Sequence, residues 1–134
     1  PYGGECGTNS IINLLVILAW QKLAEMEAAC QDKSNSELHK KLADELLAKV
    51  KENFFNPAKC QMADDKDQKF YSEHAQSLAL LCDPENETFI RGLRTGKFVT
   101  KCGIYFSSYY LEACEACGAL DLAAKRLEEY LELQ

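Results

Sequence analysis

The sequence predicts an all-α fold made of three helical hairpins. Two observations carry this. Apolar residues recur at helical spacing through most of the chain, and no stretch shows the strict alternation of a strand. The three prolines and seven glycines fall mainly between the periodic segments, where they act as punctuation.

The first predicted helix spans 8–30, with Thr8, Asn9 and Ser10 as candidate N-caps and Ile12, Leu15, Val16, Ala19, Leu23 and Met26 at helical spacing. Ser34-Asn-Ser-Glu37 reads as a capping box opening the second helix. Behind it Leu38, Leu42, Leu46, Val50 and Phe54 recur every fourth residue, joined by Ala43 and Leu47. Residues 55–69 are polar and aperiodic and predict a long loop. A helix over 71–82 follows, with Ser72 as its cap. Asp83-Pro84 reads as N-cap and first helical position of a short helix stopped by Gly96. Helix 102–117 ends at Gly118, and Asp121 starts the last helix, whose buried stripe is Leu122, the stems of Lys125 and Arg126, Leu127, Tyr130 and Leu131. The hairpins are therefore about 8–54, 71–95 and 102–134, within a single all-α segment.

The first helices of the hairpins begin near 9, 71 and 102, too unevenly for a fixed-period repeat array. Within each hairpin the first helix is mostly apolar and its partner two-faced. Inner helices buried on both sides and outer helices facing water give that pattern, as in an α/α toroid.

Composition limits the partners. Fifteen Lys+Arg against 21 Asp+Glu give a net charge of −6, with no cluster of four or more basic residues, so nucleic acid and anionic membranes are not expected partners. The longest apolar run, 11–20, is half a bilayer span, and no basic segment precedes it as in a signal peptide. Seven dispersed cysteines mostly sit in helical apolar runs and favour a reducing, cytoplasmic compartment. Cys114-x-x-Cys117 lies mid-helix and reads as two reduced thiols rather than a zinc or redox pair. His39 and the aspartates show no ligand spacing, and neither metal nor cofactor is expected.

The stretch YSEHAQSLALL (71–81) resembles the Y-S-x-H-A-x-A-L-A-x-L element of the α-L-rhamnosidase family of glycoside hydrolases. Upstream, the apolar helix carries Ala19-Trp20 and Leu23-Ala24, and the second helix closes in Asn53-Phe54-Phe55-Asn56, similar to the family's I-x-x-x-F-W-D step. Downstream, residues 105–133 resemble x-F-x-x-x-Y-x-L-E-A-L-x-x-A-G-x-x-D-x-A-L. The likeness covers about 120 residues. It implies a six-hairpin (α/α) catalytic barrel, of which three hairpins are about half of an (α/α)6 toroid, cleaving terminal α-L-rhamnosyl bonds with inversion. The family's acid loop, D-x-x-x-R-D-E-R, and its base element, T-x-W-E, have no counterpart here. The resemblance therefore implies a fragment without catalytic residues, inactive alone, whose full-length protein binds a rhamnoside or related oligosaccharide.

In such barrels the loops entering the inner helices line the pocket. Those loops hold Glu5, Asp65, Asp67, Tyr71, Glu73 and Lys97, with His74 in the first turn of helix 71–82. The candidate substrate-binding residues are Glu5, Tyr71, His74 and Asp67. Each also has a plain structural reading: the aspartates as a solvated loop at a helix N-terminus, His74 as a buried neutral imidazole. The alternative function is a non-catalytic helical protein-interaction module. Half a barrel would also leave inner helices 8–30 and 103–117 exposing apolar surface, a route to self-association.

Overall fold

The computed structural model describes residues 9–97 and 99–133. Among them are six α-helices, one 3-10 turn and two two-residue strands. The chain is all-α in class, and the short strands are an addition to the predicted elements.

Helix α1 (Ser10–Ala29) starts where Asn9 accepts the Ile11 N–H at 2.8 Å. Helix α2 (Lys33–Phe54) begins earlier than the predicted capping box. Asp32 is the cap, because its carboxylate takes both the backbone N–H and the side-chain amide of Asn35. Ser36, expected inside the box, instead donates to the Ala24 carbonyl at 2.7 Å, and His39 Nδ1 lies 2.8 Å from Glu27 Oε2. These two contacts pin α2 along α1.

Residues 55–69 form the irregular connection predicted, but its middle is buried. Strands β1 (Phe55–Asn56) and β2 (Gln61–Met62) pair antiparallel, and Gln61, Met62, Ala63 and Asp64 are all buried. A buried irregular segment must satisfy its backbone polar groups, and here the Gln76 side chain and backbone carbonyls of Phe54 and Phe70 do so. Gln76 accepts the Met62 N–H at 2.8 Å and donates to the Met62 carbonyl at 2.6 Å, while Gln61 donates to the Gly92 carbonyl at 2.8 Å.

Helix α3 (Glu73–Cys82) is capped by Ser72 as expected and is buried from His74 through Leu80. Helix α4 (Glu87–Thr95) starts three residues later than the Asp-Pro signal suggested. Asp83 is occupied by Lys51 at 2.9 Å and Asn86 at 3.1 Å, so Asn86 caps α4. Its end is the left-handed Gly96, at φ 51°. Predicted helix 102–117 is a 3-10 turn (Ile104–Phe106) followed by α5 (Ser107–Ala116), ending before Gly118 at φ 72°. Helix α6 (Leu120–Glu132) buries only Arg126 fully, and Leu127 and Leu131 of its predicted stripe are exposed.

Helix α1 packs against α2 and α3; α3 packs against α4 and α5; α5 packs against α6. Leu14, Ile17, Met62, Leu78 and Leu80 fill the centre, each fully buried and each worth about 1.5–3 kcal/mol of transfer free energy. The ends of three helices are laced together by backbone. Asn9 bridges Asp65, Ala63 bridges Tyr71, and Ser72 bridges Thr100, on the path into α5. Ser10 adds two bonds, its N–H to the Asp64 carbonyl and its hydroxyl to the Ala63 carbonyl. The N-termini of α1 and α3 and the lead into α5 therefore share one edge of the molecule.

Candidate functional site

At that edge lies a cavity of about 290 Å³. Phe70, Tyr71, Ser72 and His74 line it from the start of α3, Asp64 from the segment after β2, and Thr100, Lys101 and Gly103 from the lead into α5. Tyr71 is held by Asn56, which donates to its hydroxyl at 3.1 Å, and by Lys59, whose ammonium sits 4.6 Å from its ring centre. The His74 ring packs against Phe106 with centroids 4.1 Å apart. Phe70 stays half exposed, which makes it the accessible aromatic surface of the lining.

Two titratable groups of the lining are shifted in opposite senses. Burial raises the Asp64 carboxyl above its ordinary range, against the lowering effect of the Ser72 hydroxyl that donates to it at 2.8 Å. Burial lowers the His74 imidazole, against the opposing pull of Glu73. A carboxyl and a neutral imidazole beside an exposed aromatic offer hydrogen-bond groups of both kinds to a neutral polar ligand.

The His74 shift has a measurable consequence. A folded pKa below the unfolded 6.5 means the unfolded chain binds more protons as pH falls. The contribution is absent above that value and turns destabilising as pH drops through 6.5 toward the folded pKa. Urea midpoints compared between about pH 8 and pH 5 should therefore fall more steeply in the parent chain than in His74→Gln. Equal slopes would show that the imidazole titrates normally in the fold.

Of the predicted site residues, the fold brings Tyr71 and His74 together in the cavity. Asp67 is not with them: it is exposed, and its carboxylate lies 3.8 Å from Lys69 Nζ. Asp65 accepts the backbone N–H groups of Lys69 and Phe70 at 3.0 Å and serves the turn. Glu73 points away, toward Arg126, and Lys97 is exposed outside the lining. Glu5 lies outside the described residues. Asp64, Phe70 and Lys101 belong to the lining although the sequence did not single them out. Phe70 adjoins Tyr71, and that adjacency was the available signal.

No family model, curated protein or solved structure matches this chain. Among the described residues, no three His, Cys, Asp or Glu side chains converge as a metal-binding group. Burial pushes the Cys82 thiol up to about 12 and the Cys102 thiol up to about 11, and it raises Cys114 as well. These thiols stay protonated at neutral pH, which makes them poor nucleophiles. No described helix is long and apolar enough to cross a membrane.

Proposed function

We propose that this chain forms about half of an (α/α)6 toroid and supplies one wall of a sugar pocket in an α-L-rhamnosidase-like hydrolase. The observation that carries the reading is the cavity at the shared N-terminal edge of α1, α3 and the lead into α5. Three supports join it. Helices α1, α3 and α5 contact one another in succession, each with α2, α4 or α6 packed beside it. The cavity lining includes Tyr71 and His74, both within the stretch that resembles the family. An aromatic face next to hydroxyl, carboxyl and imidazole groups suits the mixed apolar and polar faces of a deoxysugar.

The chain's share is binding rather than bond cleavage. Inverting hydrolysis uses an acid and a base with carboxyl groups about 6.5–9.5 Å apart. Asp64 is the one carboxyl among the described lining residues, and it is engaged with Ser72. L-Rhamnose titrated into the protein should shift amide resonances of residues 70–74 and 100–103, with Kd on the order of 1 mM, about −4 kcal/mol. Phe70→Ala, at an exposed position, should weaken this about tenfold, equivalent to about 1.4 kcal/mol. Nitrophenyl α-L-rhamnoside should not be turned over above the buffer rate. Saturating sugar without any shift at these residues would defeat the reading.

A second reading, a helical interaction module, is favoured by one specific feature. Ile12, Val16, Ala19, Leu23 and Met26 follow a 4-3-4-3 spacing along α1 and are all exposed, Ile12 at 62% and Met26 at 66%. Ile104 and Tyr105, at the start of the 103–117 segment, are exposed too. Apolar stripes of this length mark association surfaces, and in the toroid reading they are flanks that further hairpins would cover. Light scattering should show growing mass from low to high micromolar protein, suppressed by Val16→Glu and Leu23→Glu together. A monodisperse monomer throughout that range would remove the stripe as an association surface.

A further inference from the structure

We infer that Arg126, on α6, is a positioning residue that sets the geometry of the cavity wall through Glu73. The inference builds on the sugar-pocket reading, but its chain of contacts stands on its own. One side of the cavity begins with Tyr71 and Ser72, and the facing side is Thr100, Lys101 and Gly103. Two backbone bonds join the sides: the Thr100 N–H donates to the Tyr71 carbonyl at 2.9 Å, and the Glu73 N–H donates to the Thr100 carbonyl at 2.9 Å. There the backbone ladder stops. The Glu73 side chain then takes the next rung, its Oε2 accepting the Cys102 N–H at 2.8 Å. Lys101 is thus fixed between a backbone rung and a carboxylate rung.

The carboxylate is aimed from outside the cavity. Arg126 donates from Nη2 to Glu73 Oε1 at 2.6 Å and from Nη1 to Oε2 at 3.0 Å, a bidentate fork. Its guanidinium lies 4.2 Å from the Tyr110 ring centre, and its Nε is 3.3 Å from Glu129. Glu129 in turn holds the Lys101 ammonium at 3.1 Å. Two α6 residues one turn apart therefore reach the same wall, Arg126 through Glu73 and Glu129 through Lys101. A lysine at 126 would keep the charge but not the planar fork that fixes how the carboxylate is turned.

The test is Arg126→Lys, with Glu129→Ala as a milder second variant at a partly exposed position. In the parent chain the Cys102 amide proton, bonded to a carboxylate, should resonate well downfield. Arg126→Lys should move it upfield, along with the Thr100, Lys101 and Gly103 amides, while α2 amides stay in place. L-Rhamnose affinity should fall about tenfold in Arg126→Lys and about threefold in Glu129→Ala. Unmoved wall amides overturn the inference whether or not sugar binds. Moved amides with unchanged rhamnose affinity uphold Arg126 as the residue that sets the wall and show that the bound sugar does not rest on it. If the parent chain binds no rhamnose, that reading fails, and coordinated movement of the wall amides still upholds Arg126 as the residue that sets the wall.

Discussion

Arg126→Met is expected to lower folding stability by about 3–5 kcal/mol, the usual cost of removing one partner from a buried ion pair. Arg126 is 5% exposed and Glu73 is half-buried, with only 12% of its side chain open to solvent. Burial alone would push the guanidinium's pKa down, but Glu73 and Tyr130 hold it above its ordinary value, so it stays charged. Methionine fills much of the same volume, so the loss comes from stranding the carboxylate. The Cys102 N–H still donates to it, but one neutral donor does not replace a bidentate guanidinium. Glu73→Gln combined with Arg126→Met should recover a large part of the loss, because no buried charge then remains. Urea denaturation of the single and double variants measures this. A single-variant loss under about 1 kcal/mol would mean that the pair behaves as an exposed one.

Gly92→Ala is expected to cost about 3 kcal/mol, at the upper end of overpacking penalties. A Cβ on Gly92 would stand 2.1 Å from the Cys60 carbonyl oxygen, a backbone atom that no rotamer change can move. Relief requires shifting the turn before β2, where Cys60 already sits at φ 52°. That would also strain the bond from Gln61 Nε2 to the Gly92 carbonyl. Gly103→Ala is the control: nothing lies within 4 Å of its Cβ position, and a change within about 0.5 kcal/mol is expected. Similar thermal midpoints for both variants would show that the 57–62 turn yields easily.

Helix existence was legible because the signals are local. Asn9, Ser72, Gly96 and Gly118 sit where their capping chemistry put them. The facing of α1 was not legible. Residues 11–18 are almost uniformly apolar, so no polar edge sets the phase. The buried set is Ile11, Leu14, Ile17 and Ala24, while most of the positions picked by spacing face outward. Packing against α2 and α3 makes that choice. Residues 61–64 misled for the opposite reason: they look solvated, yet the Gln76 side chain and the Phe54 and Phe70 carbonyls satisfy their backbone from elsewhere in the chain. At the cavity, Tyr71 and His74 could be named from the sequence because they open helix 71–82, whereas Lys101 joined through the Ser72–Thr100 bridge, which no local pattern encodes.

Spacing and capping residues were enough to establish six helices, their order and most of their ends, because those choices are settled within a few residues of chain. The tertiary structure alone decided which faces are buried, which carboxylate lines the cavity and which is clamped by an arginine. Asp64 and Glu73 are both acidic residues near one helix N-terminus. Asp64 reaches the cavity, while Glu73 is drawn aside by an arginine 53 residues away. Burial and ion pairing depend on contacts between distant segments, and those exist only once the helices have packed.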